Sequence, residues 1–150
     1  VGAGCGSLTE FCIKQDPHCR LVAVDLSGEM LDVLSARFPE VICVQGDVMD
    51  YKDSESFDCI WCNACFGNFY DPSAVFRHLC ELMAPGAVLN ISHPMGRKFQ
   101  AGLHGADPLT VPYLLPGSKK EAQQVARGTA VTLERFLDEE AFYLVSYRHP

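Results

Sequence analysis

Short apolar runs alternate with longer amphipathic stretches over residues 1–92, and the alternation predicts a β-α-β-α-β order. Leu21-Val22-Ala23-Val24 is an unbroken apolar run closing on Asp25, as expected of a strand buried on both faces of a parallel sheet. Val41-Ile42-Cys43-Val44, ending at Gly46-Asp47, and Phe57-Asp58-Cys59-Ile60-Trp61-Cys62 read the same way. Between the first two, Ser27 is a natural N-cap and Glu29 lies in the first helical turn. Met30 or Leu31, Leu34 and Phe38 then share one helical face until Pro39 stops the pattern. Asp71-Pro72 opens another helix, with Val75, Phe76, Leu79, Leu82 and Met83 as its buried face and Pro85-Gly86 as its end. Ala87 to Ser92 is the next strand.

From His93 to Gly117 the rhythm breaks. The stretch holds four prolines and four glycines among scattered apolar residues, and reads as a long loop acting as a lid or substrate loop. Ser118 to Arg127 predicts a short helix closed by Gly128. Ala130 to Phe136 and Ala141 to Tyr147 are strand-like runs whose four-residue link makes them a hairpin. The expected fold is α/β: a doubly wound, mostly parallel sheet with a C-terminal antiparallel hairpin, in a single domain over residues 1–150. Its parts are a ligand-binding portion (1–92), the lid (93–117) and the helix with the terminal hairpin (118–150).

Composition narrows the function. The formal charge of -7 opposes a nucleic-acid backbone, so a small-molecule partner is expected and nucleic acid is not. There is no apolar run of about 18 residues, so no membrane span is expected. Eight cysteines, several of them inside apolar segments, fit buried thiols in a reducing, intracellular and cytoplasmic setting. Cys59-x-x-Cys62-x-x-Cys65 has metal-ligand spacing. However, Cys59 and Cys62, three apart on a strand, point to opposite faces, so core thiols are expected and no metal.

The candidate chemistry gathers at strand ends. Val1-Gly2-Ala3-Gly4-Cys5-Gly6 is a glycine-rich turn whose backbone N–H groups can approach a ligand closely, ahead of a helix beginning near Leu8. Asp25, Asp47, Asn63 and His93 each follow a predicted strand, at the edge where open parallel sheets bind ligands.

Together these segments resemble the class I S-adenosylmethionine-dependent methyltransferases, of the type 11-like kind. The resemblance rests on Val1 to Leu8, Val22-Ala23-Val24-Asp25-Leu26-Ser27, Gln45-Gly46-Asp47-Val48, Phe57 to Asn63, and Leu82-Met83-Ala84-Pro85-Gly86-Ala87-Val88-Leu89, five motifs in register. It implies a Rossmann-like fold, methyl transfer to a small-molecule acceptor, and S-adenosyl-L-methionine as cofactor. In that family's pattern the backbone of Gly2, Ala3, Gly4 and Gly6 packs on the methionine part of the cofactor. Asp25 takes the ribose hydroxyls, Leu26 lies along adenine, Asp47 and the Val48 N–H meet the adenine edge, and the backbone near Asn63 faces the amino group. The acidic residue that many members carry before the glycine turn is absent, and Val1 alone stands for the strand leading into it, so N-terminal truncation is expected, with the first strand largely missing.

Two other readings stay open. A nicotinamide-dependent oxidoreductase also uses a glycine turn and an acid about 20 residues on. Here, though, the third glycine follows the second by two positions rather than three. A methyltransferase-like scaffold or partner subunit without catalysis is the other. If the acceptor needs deprotonation, His93 is the candidate base, and its competing reading is a strand-exit residue that caps backbone groups. Phe66, Phe69 and Tyr70 are candidate walls of an acceptor pocket. Arg97, Lys98, His104, Asp107 and Tyr113 share the lid.

Overall fold

The computed structural model describes all 150 residues, Val1–Pro150, as two compact units, Val1–Tyr51 and Lys52–Pro150. In the first, the glycine turn leads into α1 (Thr9–Gln15), followed by β1 (Val22–Asp25), α2 (Gly28–Arg37), β2 (Ile42–Gln45) and a 3₁₀ turn over Val48–Asp50. The two strands pair in parallel, from Val22 opposite Ile42 to Asp25 opposite Gln45. Ser27 caps α2 by accepting from the Met30 N–H, as its residue type dictates. Leu31 and Leu34 turn inward onto Ala23 and Val41, with Ala3, Ile13, Leu21, Phe38 and Cys43 packed around them. Gly6 lies against this core: a Cβ there would stand 3.0 Å from Leu34 Cγ, and φ is +86°. Glycine alone satisfies both constraints.

The second unit contains β3 (Phe57–Asn63), α3 (Pro72–Glu81), β4 (Met83–His93), α4 (Gly96–Ala106), α5 (Lys119–Val125), β5 (Thr132–Glu139) and β6 (Phe142–Arg148). Its sheet runs β3-β4-β6-β5, with β3 and β4 parallel and the remaining pairs antiparallel. The terminal hairpin forms as the sequence indicates, and its second strand is the one that joins β4. Phe76 of α3 meets Tyr147 of β6 edge-on, with ring centroids 4.8 Å apart, and Leu79, Leu89 and Val145 of the same unit are buried. Both buried tyrosines of β6 spend their hydroxyls on backbone carbonyls: Tyr143 donates to Pro116 and Tyr147 to Ala122. Burial pushes both phenols upward. Pro85-Gly86 does not end α3, which stops at Glu81. The dipeptide instead sits in an irregular start of β4, where pairing with β3 skips from Met83 to Val88 and Gly86 has φ +79°.

The stretch expected to be a structureless lid contains an eleven-residue helix, α4, and a segment fastened to it. Gln100, 2% exposed, donates to the Tyr113 carbonyl at 2.6 Å and accepts from the Leu115 N–H at 3.3 Å. His104 Nδ1 lies 2.6 Å from the Val111 carbonyl, which can only accept, so that nitrogen donates. Arg97 binds Asp138 at 2.7 Å, and Asp107 accepts from the N–H groups of Leu109 and Thr110. These residues anchor the segment. Replacing Gln100 by Ala leaves the half-buried Tyr113 carbonyl and the buried Leu115 N–H without this partner, and we expect a loss of about 2 kcal/mol in urea unfolding with no change in the slope of the transition.

Candidate functional site

In the first unit the site is built around one carboxylate. Asp25 ends β1 half-buried, its Oδ2 accepting from the Gly4 N–H at 2.7 Å and its Oδ1 from the Ser27 N–H at 2.9 Å. Gly2, Gly4 and Gly6 all have positive φ, which folds the turn back towards the strand tip. Ala3 is tied to the same strand, donating to the Val24 carbonyl at 3.2 Å. Because β1 and β2 are parallel, Asp47 lies at the same sheet edge as Asp25, and the Gly46 N–H donates to the Asp25 carbonyl at 2.9 Å. Asp47 is exposed and caps the 3₁₀ turn by accepting from the Met49 N–H, while Val48 is buried beneath it. Leu26 is 72% exposed at this edge.

The arrangement fits an adenosyl group on two observations. A Cβ built on Gly4 meets nothing within 4 Å, so the turn presents open space over bare backbone. Each oxygen of Asp25 accepts one backbone N–H, and a carboxylate has about four acceptor positions, which leaves two for hydroxyl donors. The sequence shows Gln45 only as part of a motif, with no role of its own. Its side-chain amide donates to the Leu26 carbonyl at 3.3 Å and fills the space that a Cβ on Gly28 would occupy. The signal was a polar residue closing an apolar strand just before Gly46.

Asn63 and His93 belong to the second unit, at the carboxyl ends of β3 and β4. Asn63 accepts from the Ser92 hydroxyl at 2.8 Å. A pocket opens beside them, lined by Ala64, Cys65, Phe66, Ser92, His93 and Leu103, with Gly67, Asn68, Gln100, Val111 and Leu115 completing it. Of the expected walls, Phe66 lines the pocket and Phe69 packs edge-on against it, whereas Tyr70 is 78% exposed and donates to the Leu109 carbonyl. His93 is buried beside Phe99, and its Nδ1 accepts from the Met95 N–H at 3.3 Å. A neutral ring that accepts at Nδ1 carries its proton on Nε2. In this geometry His93 accepts at the strand exit through Nδ1 and presents Nε2–H as a donor.

With this geometry in view, residues 1–89 match the family model described as a methyltransferase domain. An uncharacterised methyltransferase of Schizosaccharomyces pombe is 37% identical over 90 residues, which is 59% of this chain and 35% of that protein. A trans-aconitate 2-methyltransferase of Acidovorax is 31% identical over 94 residues, 63% of this chain and 36% of the relative. The chain thus spans about a third of the length of the curated relatives it matches. Among solved structures, N-methyltransferase NodS of Bradyrhizobium japonicum superposes with a TM-score of 0.72 at 17% identity, covering 99% of this chain and 83% of NodS. The putative methyltransferase solved with the Haloferax volcanii Trm112 activator gives 0.81 at 15% identity, covering 99% and 79%. Both show the same Rossmann-like fold.

Burial holds the His93 imidazole below its ordinary value of 6.5. As pH falls through that value the unfolded chain takes up the proton first, so stability from the neutral ring is complete above it and is lost below it. We expect the urea midpoint to drop between about pH 7 and pH 5, and His93→Gln, which gains no charge, to flatten that drop. An unchanged slope in the variant assigns the effect to other groups.

Proposed function

The chain belongs to the methyltransferase-domain family, and from that premise we propose that the protein transfers a methyl group from S-adenosylmethionine to a small-molecule acceptor. The observation that carries this reading is the pairing of Asp25 with the Gly4 N–H at 2.7 Å, on the edge that also bears Asp47. A scaffold has no chemical need for an open glycine backbone held against a strand-end carboxylate. We read residues 1–150 as belonging to one methyltransferase-like domain.

In this reading Gly2, Ala3, Gly4 and Gly6 offer backbone to the methionine portion and Asp25 accepts from the two ribose hydroxyls. Leu26 covers one adenine face, Asp47 accepts from the adenine amino group, and the Val48 N–H donates to a ring nitrogen. By the family's pattern the backbone near Asn63 serves the amino group; its side chain accepts from the Ser92 hydroxyl. The cofactor, when bound, supplies a methyl already activated on a sulfonium, so the protein's task is alignment and exclusion of water. His93 contributes through Nε2–H, holding an acceptor oxygen or nitrogen in place, and proton removal falls to solvent or to the acceptor itself. The second unit's pocket has no lysine or arginine in its lining, and Arg97 is engaged by Asp138. An uncharged, largely apolar acceptor suits it better than a polycarboxylate of the kind named for the Acidovorax relative.

Isothermal titration of the chain with S-adenosylmethionine and S-adenosylhomocysteine tests the reading. Both are expected to bind, and Asp25→Ala to weaken them about 10- to 100-fold, the loss of one or two charge-assisted hydrogen bonds. Asp25→Asn, which still accepts from one backbone N–H, is expected to fall between the two. Heat from a nicotinamide dinucleotide instead, or none from any of the three, overturns the assignment.

A further inference from the structure

The thiol run Cys59-x-x-Cys62-x-x-Cys65, which methyl transfer leaves unused, separates into two unlike parts. Cys59 is exposed on β3 and accepts from the Asn90 side-chain amide at 3.5 Å. Cys62, one residue before the strand's end, is 0% exposed, and its side chain is hydrogen-bonded to that of Cys65. Residues three apart on a continuing strand would face opposite ways. Here the strand stops at Asn63, and Ala64 takes φ +56°, the only residue other than glycine with positive φ. That left-handed step breaks the strand's alternation between Cys62 and Cys65, which allows the two side chains to hydrogen-bond. No group of three His, Cys, Asp or Glu side chains able to hold a metal ion forms around them.

We propose that Cys62 and Cys65 form a reversible dithiol–disulfide site, oxidised by hydrogen peroxide. Cys65 is half-buried and lines the second unit's pocket, so it is the sulfur that solvent reaches, whereas Cys62 is enclosed. In the first step Cys65 passes its proton to the Cys62 sulfur it is hydrogen-bonded to and attacks one peroxide oxygen; the O–O bond breaks and hydroxide leaves, giving Cys65 as a sulfenic acid. In the second, Cys62 attacks the Cys65 sulfur, the S–O bond breaks and water leaves. Overall, two thiols and one peroxide give one disulfide and two waters. The hydrogen bond from Cys65 holds the Cys62 thiol below its ordinary range, against burial acting in the other direction. Burial chiefly, with Cys19, Asp32 and Glu81 as the respective neighbouring charges, raises the thiols of Cys12, Cys43 and Cys80, the last to about 11, so these are poor competitors for oxidant. The proposal does not depend on the methyl-transfer reading.

The test is peroxide treatment of the intact chain, alkylation in denaturant and peptide mass mapping. The expected product is a Cys62–Cys65 crosslink lacking two hydrogen atoms, reversed by dithiothreitol, with Cys12, Cys43 and Cys80 recovered alkylated. Cys65→Ser should abolish the crosslink and return Cys62 as an alkylated thiol. The wild-type map is decisive even if that variant folds poorly. Recovery of Cys62 and Cys65 as alkylated thiols or as sulfinic acids, at peroxide that fully oxidises glutathione in the same tube, overturns the proposal. So does a crosslink joining other cysteines.

Discussion

The first unit is organised by a single side chain. Asp25 accepts from a glycine 21 positions earlier and from the residue that caps the following helix, so one carboxylate fixes both the turn and the start of α2. Hydrogen bonds to an ionised acceptor are roughly twice as strong as neutral ones. The constraint propagates through neighbours: Ser27, positioned by Asp25, in turn accepts from Met30, and the Asp25 carbonyl accepts from Gly46 at the tip of β2. The same residue that looks like a ligand contact is thus also the local keystone. Its two roles are compatible because the backbone donors use only part of its acceptor capacity.

In the second unit the equivalent constraint is a line of polar groups on a buried strand. Asn90, Ser92 and His93 of β4 are all buried, and each has a partner: the Ser146 hydroxyl donates to Asn90, the Ser92 hydroxyl donates to Asn63, and the Met95 N–H donates to His93. Buried polar atoms without partners are expensive, so these bonds specify alignment as well as adding stability. Sliding β4 by one residue against β3 or β6 would break the Asn63 and Ser146 contacts together.

Much of this was legible from periodicity. Apolar runs marked β1, β2 and β3, and caps at Ser27 and Asp71 marked α2 and α3; the burial expected of β2 does not hold, because it lies at the end of a two-stranded sheet with Ile42 46% exposed and no residue buried. Helix α4 was illegible for a physical reason: its inward face carries Gly96, Gln100 and His104, while Phe99 and Leu103 are more than 40% exposed. Its only large apolar residues are Phe99 and Leu103, too few to mark a helix by periodicity, and its three glycines read as breakers. The order β3-β4-β6-β5 was equally hidden, since a hairpin signal does not say which strand joins the sheet. The strand-end carboxylates could be named, but not the backbone donors that Asp25 holds. Nor could sequence spacing show that Ala64 brings two thiols together, because a left-handed alanine has no local signature.

Gly67 forms part of the pocket wall with no side chain to offer. A Cβ on it would sit 2.5 Å from the Gln100 amide nitrogen and 3.2 Å from the Tyr113 carbonyl. The Tyr113 N–H also donates to the Gly67 carbonyl, so the two segments touch backbone to backbone. The aperture of the cavity is therefore gauged by a single hydrogen atom. A methyl group at this position would have to displace the Gln100 amide, and with it the bond that ties the Tyr113 carbonyl to α4.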